Sequence, residues 1–411
     1  MSRLRIYIRP RLDTGVLSPD FIEVTDDVDF NSTAKIKQQI DNDEFNVGQF
    51  KFNDFNLKLN NKLGKYSDVN VVQSIFRFRR SGSIVKLTWS PASFAPECGI
   101  ATAGASTGAT LNVEKDLFYG ILSDEASRLD LTDSQVSFRV LSTDGIFENI
   151  EADFSVFSVG QLVSDAIFAV LNRPEITEYL TLDIANIDLS LDLELDDIEA
   201  FENATVKECL DDLLLIANSV IYTEDEIIFI KPREGGSEIK YTFIGQASNN
   251  GTEDIVKITD VATGLNRVFN FWTWKDTNLV AQDTISVAIN QVRKKEFESD
   301  LITDNTKRQQ ILDSQRTEFK DKKQRLKITS KLNLELLEIS LLDQVRIDYP
   351  SLIIPAENDE ELPIYGIARY DISRYGFQQS TLIIKPDVPY KVMGVDVDTK
   401  KQQVTFNVEE Q

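Results

Sequence analysis

Histidine does not occur in the 411 residues, and cysteine occurs only twice. Without histidine there is no Ser-His-Asp triad, no His-activated cysteine, no zinc site of the histidine type and no imidazole to act as the commonest general base. The two thiols, Cys98 and Cys209, form neither a disulfide framework nor a metal-ligand spacing, so redox chemistry is not expected. Long apolar runs are missing as well, and none reaches the length that spans a bilayer. At the start of the chain Arg3, Arg5, Arg9 and Arg11 interrupt Leu4, Ile6 and Ile8. That leaves no continuous apolar core for a secretory signal, and the expectation is a chain made and kept in cytoplasm-like conditions.

The composition that remains, 42% hydrophobic and 27% charged, is that of a soluble globular protein. Its length exceeds one ordinary core and implies about two to four domains. The formal charge of −23 is unevenly placed. Residues 1–100 hold 14 Lys+Arg against 12 Asp+Glu, residues 101–250 hold 8 against 29, and the remainder holds 22 against 26. An acidic middle between two nearly neutral outer portions disfavours sequence-nonspecific binding of nucleic acid or anionic membrane there.

The most sharply patterned stretch is 203–234. Thr205 and Glu208 have the spacing of a capping box, and Val206, Cys209, Leu210, Leu213, Leu214 and Ala217 then form one helical apolar stripe. Asn218 is the expected stop, and Val220, Ile221 and Tyr222 are expected to pair with 227–230 in a hairpin closed by Pro232. Such a unit cannot bury both its faces alone and has to dock on something larger.

Before it, residues 4–151 read as all β. Leu4, Ile6 and Ile8, then Phe55, Leu57 and Leu59, then Val85, Leu87 and Trp89 alternate with polar neighbours, and strands follow at 117–122 and 136–141. Asn53-Asp54 shifts the phase after Phe50 and Phe52, as a bulge or turn would. The run 91–112, rich in Ala, Gly, Ser and Thr and with almost no charge, reads as a long flexible loop. Ser158 and Gln161 have a second capping-box spacing, ahead of a helical face made by Leu162, Val163, Ala166, Ile167, Val170 and Leu171 that stops before Pro174. Ile187, Leu189, Leu191, Leu193 and Leu195 alternate strictly with Asp188, Ser190, Asp192, Glu194 and Asp196, which predicts a strand with one apolar and one acidic face. From Lys240 β patterning resumes through 268–274, yields to a charged surface helix near 303–320 with a thin stripe of Ile311, Leu312 and Phe319, and returns at 326–328, 336–339, 345–347, 364–368, 381–384 and 404–408. The expected division is 1–152 as a first β-barrel domain, 153–239 as an α+β middle region, and 240–411 as a second β-barrel domain interrupted by that helix. The fold class is α+β, predominantly β.

The chemistry available is thin. The glycine-bearing stretch from Gly104 to Thr110 has no lysine after it and fails as a phosphate cradle. The acidic ladder lacks the turn glycine and loop spacing of an EF-hand and reads as a solvated strand face. Phe76 and Phe78 among Arg77, Arg79 and Arg80 place rings on one side of a strand and guanidinium groups on the other, a core face with a basic outer face suited to an acidic partner. Glycoside hydrolysis needs only two carboxylates, but 67 acidic residues single out no pair. No residue is therefore assigned a catalytic, cofactor-binding or metal-ligating role.

The order of parts resembles the central hub proteins of phage tail tips and baseplates. The phrases that carry the resemblance are Asn60-Asn61-Lys62-Leu63-Gly64-Lys65-Tyr66 ahead of Ser74-Ile75-Phe76-Arg77-Phe78, then Leu117-Phe118-Tyr119-Gly120-Ile121-Leu122, the helix and hairpin from Thr205 to Arg233, and Leu341-Leu342-Asp343-Gln344-Val345-Arg346-Ile347-Asp348-Tyr349-Pro350. The resemblance implies a non-enzymatic virion structural protein with two tail-tube-like antiparallel β-barrels per chain. It implies a homotrimer whose six barrels make a pseudo-hexameric ring that joins a six-fold tube to a three-fold tip and lets DNA pass unread. The partners it implies are the tail tube or distal tail protein, a spike or fibre-bearing tip protein, and the tape-measure protein, assembled in the host cytoplasm. It places the acidic middle region outside the ring. Two alternatives stand beside it: a distal tail or other ring-forming tail protein, and a carboxylate-based glycan hydrolase carried on a tail.

Overall fold

The computed structural model describes residues 3–29, 35–39, 54–67, 73–77, 81–90, 114–123, 128–130, 134–224, 226–245, 254–264, 267–348 and 388–411. The loop expected at 91–112, the strands expected at 364–368 and 381–384, and Phe50, Phe52, Phe78, Arg79 and Arg80 lie outside the described residues.

Strands β1 (Arg3–Arg9) and β2 (Ile22–Glu23) open the chain, and β3 (Lys35–Gln39) leaves for a different sheet. With β4 (Asp54–Asn60), β5 (Ile84–Ser90), β6 (Lys115–Leu122), β7 (Arg128–Asp130) and β8 (Gln135–Ser142), the first two make a seven-stranded sheet in the order β2-β1-β5-β6-β8-β4, β7 adding to β8. The period-two reading decides which side is covered: Ile6, Ile8, Leu57, Leu59, Val85, Leu87, Val136, Phe138 and Val140 are all buried in one core. Phe76 departs from expectation. It lies in a turn rather than a strand, with the Arg77 amide donating to the Ser74 carbonyl three residues back. A two-residue Phe-Arg repeat is too short to tell the two apart. The ring is nevertheless buried, edge-on to Phe138 at 5.4 Å, and Arg77 is exposed.

The middle of the chain holds α1 (Val163–Leu171), the single turn α2 (Pro174–Thr177), β9 (Thr181–Ile187), α3 (Val206–Ala217), β10 (Ser219–Glu224) and β11 (Ile227–Pro232). The box on α3 is complete: Thr205 Oγ1 accepts from the Glu208 amide at 3.2 Å, and Glu208 accepts from the Thr205 amide at 2.8 Å. Asn218 ends the helix at φ 48, the left-handed conformation asparagine tolerates. The hairpin β10–β11 follows, and β9 pairs with β11 in parallel.

The last third contains β12 (Ile239–Ile244), β13 (Ile255–Thr263), β14 (Phe271–Trp274), β15 (Val280–Gln282), α4 (Thr284–Asn290), β16 (Lys294–Phe297), α5 (Asn305–Phe319), β17 (Gln324–Lys331), β18 (Gln344–Asp348), β19 (Tyr390–Asp398) and β20 (Gln403–Glu410). The second seven-stranded sheet runs β12-β18-β19-β20-β17-β13, with β3 on β19. All its pairs are antiparallel except β12–β18. The strand expected at 336–339 is a 3-10 turn at Leu336–Glu338, because a short apolar run carries no periodicity to separate the two states.

Two cores result. One is continuous across both large sheets, from Ile6 to Val408. The other joins the stripes of α1 and α3 to Trp272, Trp274, Phe297, Ile311, Leu312 and Phe319. Helix α5 is therefore not a surface helix. Its thin stripe is buried together with Gln315 and Glu318, and Gln315 donates to the Leu215 carbonyl at 3.4 Å.

Candidate functional site

The acidic ladder is the first place where the structure reassigns a reading. Only Ile187 of that run belongs to a strand. Beyond it the chain stays extended but has no continuous ladder, held by isolated bonds such as Leu191 N to Ala217 O at 3.1 Å and Val163 N to Leu193 O at 2.9 Å. Leu189, Leu191 and Leu193 pack on the second core as the alternation requires. Two of the acids are not simply solvated. Asp192 accepts from the amide and hydroxyl of Ser164 at 2.9 and 2.7 Å, capping α1 from a distance. Ser158 and Gln161 form half a box, Gln161 accepting from the Ser158 amide at 3.0 Å, one turn ahead of the helix itself. Asp196 accepts from the amides of Thr303 and Asp304 and from Lys307 at 2.6 Å, tying the entry of α5 to the middle region. These bonds hold its carboxyl below the usual range despite some burial.

The second feature was not legible in the sequence. Strands β17, β20 and β19 place Arg325, Glu409 and Lys391 directly opposite one another. The last turn of α5 brings Glu318 down onto them. Lys391, fully buried, donates to Glu318 at 2.6 Å and to the Arg233 carbonyl at 3.0 Å, with Glu409 at 3.8 Å. Lys323 reaches Glu318 at 2.9 Å, and Arg325 reaches Glu409 at 2.7 Å through Nε. Burial works against both carboxylates, yet Lys391 and Lys323 hold Glu318 down to about 2. Lys391 and Arg325 likewise hold Glu409 below its ordinary value. Burial pulls the Lys391 ammonium below its own. The cluster borders a cavity of about 140 Å³ that also touches Arg267 and Phe319.

An open recess of about 490 Å³ sits beside the start of α3, lined by Glu202, Asn203, Glu208, Asp211 and Asp212 among others. None of its described lining residues is aromatic. The cavity bordered by the cluster has three carboxylates, Glu318, Asp321 and Glu409, and one ring, but Glu318 and Glu409 are held ionised, the opposite of the raised pKa that a glycosidase general acid needs. Among the described residues no group of three or more His, Cys, Asp or Glu is placed to hold a metal ion, and no helix is long and apolar enough to cross a membrane. Chemically, the buried cluster is a junction: it locks α5, and with it the second core, onto the second large sheet.

No protein-family model matches the sequence, and no curated protein matches it. Solved structures do. The tail protein of Neisseria meningitidis MC58 superposes with a TM-score of 0.52 at 12% identity, covering 100% of this chain and 96% of that one. The 43 kDa tail protein of prophage MuSo2 from Shewanella oneidensis gives 0.52 at 9% identity, covering 99% of this chain and 97% of that one. The chain therefore has the fold of these tail proteins from end to end, with two curled seven-stranded sheets and few helices.

Proposed function

We propose that this chain is a structural subunit of a phage tail tip or baseplate, a hub whose copies close into a ring around a channel. The observation that carries the reading is the doubling: one chain supplies two seven-stranded sheets on a shared core, so that three chains would present six such units. Residues 1–152 and 240–411 are then the two tube-like barrels and 153–239 the middle region, against which α5 and the β14–β16 sheet pack. Such a ring matches a six-fold tube above and a three-fold tip below. Its neighbours would be a tube or distal tail protein, a spike or fibre-bearing tip protein and a tape-measure protein, with DNA passing through unread. Assembly in the host cytoplasm and a place at the virion's tail end belong to the same reading. So does the lack of an enzymatic role: Glu318 and Glu409 are committed to Lys391, Lys323 and Arg325, and the recess that holds Asp212, whose carboxyl burial pushes up to about 6, has no aromatic among its described lining residues.

The test is the native mass of the purified chain by light scattering, with negative-stain images of the same peak. Three copies of 46.6 kDa give about 140 kDa, and the expected particle has a central hole. A six-fold ring would favour a distal tail protein instead. A particle with no hole and measurable glycan cleavage would sink the structural reading.

A further inference from the structure

Helix α4 is inside out. Its inward side is polar: Ser286 and Asn290 are buried, Asn290 Nδ2 donates to Ser286 Oγ at 3.2 Å, Ser286 donates to the Lys320 carbonyl, and Asn270 Nδ2 reaches Ser286 at 3.3 Å and the Gln291 carbonyl at 2.8 Å. Its outward side is apolar. Ile285 is 73% exposed, Ile289 71% and Val292 59%, with exposed Ala288 between them. Ile285, Ala288 and Ile289 have the i, i+3, i+4 spacing of a buried stripe, with Val292 just past the helix end, but no described residue covers them. A hydrogen-bonded polar underside fixes the helix so that the stripe must face away from its own body. Its surroundings are basic on balance: residues 283–296 contain Arg293, Lys294 and Lys295 against Asp283 and Glu296, and the Asp283 cap is itself paired with Lys320 at 3.2 Å.

A second exposed apolar ridge has the opposite surroundings. Phe154, Val159 and Leu162 stand exposed in a stretch, 151–173, that carries Glu151, Asp153 and Asp165 against the single cation Arg173, and Leu162 bridges to Glu194 on the acidic run. The two lie at opposite ends of α5. Leu162 bridges Glu194, whose carbonyl accepts from Lys307 in the first turn of that helix at 2.9 Å, while Ser286 is bonded to Lys320 at its end. Fifteen residues of helix separate them by roughly 20 Å.

We propose that the outward face of α4 docks on the Phe154–Val159–Leu162 ridge of a second copy of this chain. Charge complementarity selects the occupant: a basic apolar patch meets an acidic apolar one, whereas two α4 faces brought together would oppose like charges. Because the patches are different and far apart, the contact is head-to-tail, and each copy donates one face and accepts the other, which closes a ring when the rotation permits. The inference rests on the ring reading above and names the surfaces that make it.

Full-length chain is compared with two variants by light scattering: Ile285→Asp with Ile289→Asp, and Val159→Lys with Leu162→Lys. All four positions are exposed, so both variants should keep the parent's circular dichroism and melt. Each alone is expected to lose ring assembly, with association weakened about a hundredfold or more. Mixed one to one, they retain one intact contact between them and should give a dimer that grows no further. A parent ring with variant rings unchanged overturns these surfaces and leaves the ring reading standing. A parent that stays monomeric at every concentration overturns both. A parent that floats with phosphatidylserine vesicles while the first variant does not would assign the α4 face to a membrane and overturn the docking.

Discussion

Lys391 is a full charge in a place that water does not reach, and its worth depends on what remains when it is removed. A buried pair contributes little relative to apolar residues of the same shape, but deleting one partner leaves the other desolvated and alone. Lys391→Met leaves Glu318 with Lys323 and Glu409 with Arg325 but puts the two buried carboxylates across from each other with no cation between them, and the expected loss is about 3 kcal/mol in urea unfolding. An unchanged midpoint would show that the junction contributes nothing. Acid gives a second readout. The Glu318 carboxyl sits at about 2 in the fold against an ordinary 4.5, so the folded state binds fewer protons than the unfolded state between those values. Its contribution is full above about 4.5 and disappears as pH falls toward about 2. Glu318→Gln should be less stable than the parent at pH 6, with the gap narrowing through that window; a gap constant with pH would sink the assignment.

At the scale of the element, helix α3 is where reading and structure agree most fully, because each of its signals is local. The cap, the stripe and the stop lie within fourteen residues, and Thr205, Leu213 and Asn218 do what their spacing requires. Thr205→Ala should cost about 1 kcal/mol. Leu213→Asp strands a charge among fully buried side chains and should unfold the middle region; a variant melting like the parent would mean the stripe is misassigned. Helix α1 was half legible for the same reason. Its stripe is local, but its cap, Asp192, arrives from 28 residues away. Strand β19 was not read at all. Tyr390 to Val395 are buried on both faces, so the period-two alternation that marks a half-covered strand is absent there. Helix α4 was missed too, since its apolar face points outward and its polar face inward.

At the scale of the whole molecule, the sequence order of β-rich, mixed and β-rich parts was enough to suggest the architecture, whereas the joints between parts were not, since no local pattern encodes the register of strands hundreds of residues apart. The Lys391 cluster is one such joint, and the continuous core under both sheets is another. That core predicts cooperative behaviour. Residues 1–152 expressed alone leave Ile36 and β3 without the β19 they pair with, and no cooperative melt is expected from that fragment. A sharp transition matching part of the parent's would show that the first sheet stands by itself.

The β3–β19 pairing also sets a timetable. Gln39 waits for Gly394, 355 residues later in the chain. At the usual pace of translation, roughly 5–20 residues per second, that interval lasts about 20–70 seconds. During it the nascent chain holds a strand whose edges are unclaimed on the ribosome, open to any neighbouring polypeptide of similar pattern. A helper that shields β3 until the C-terminus emerges would raise the yield of native protein, and slowing translation of the last hundred residues would lower it.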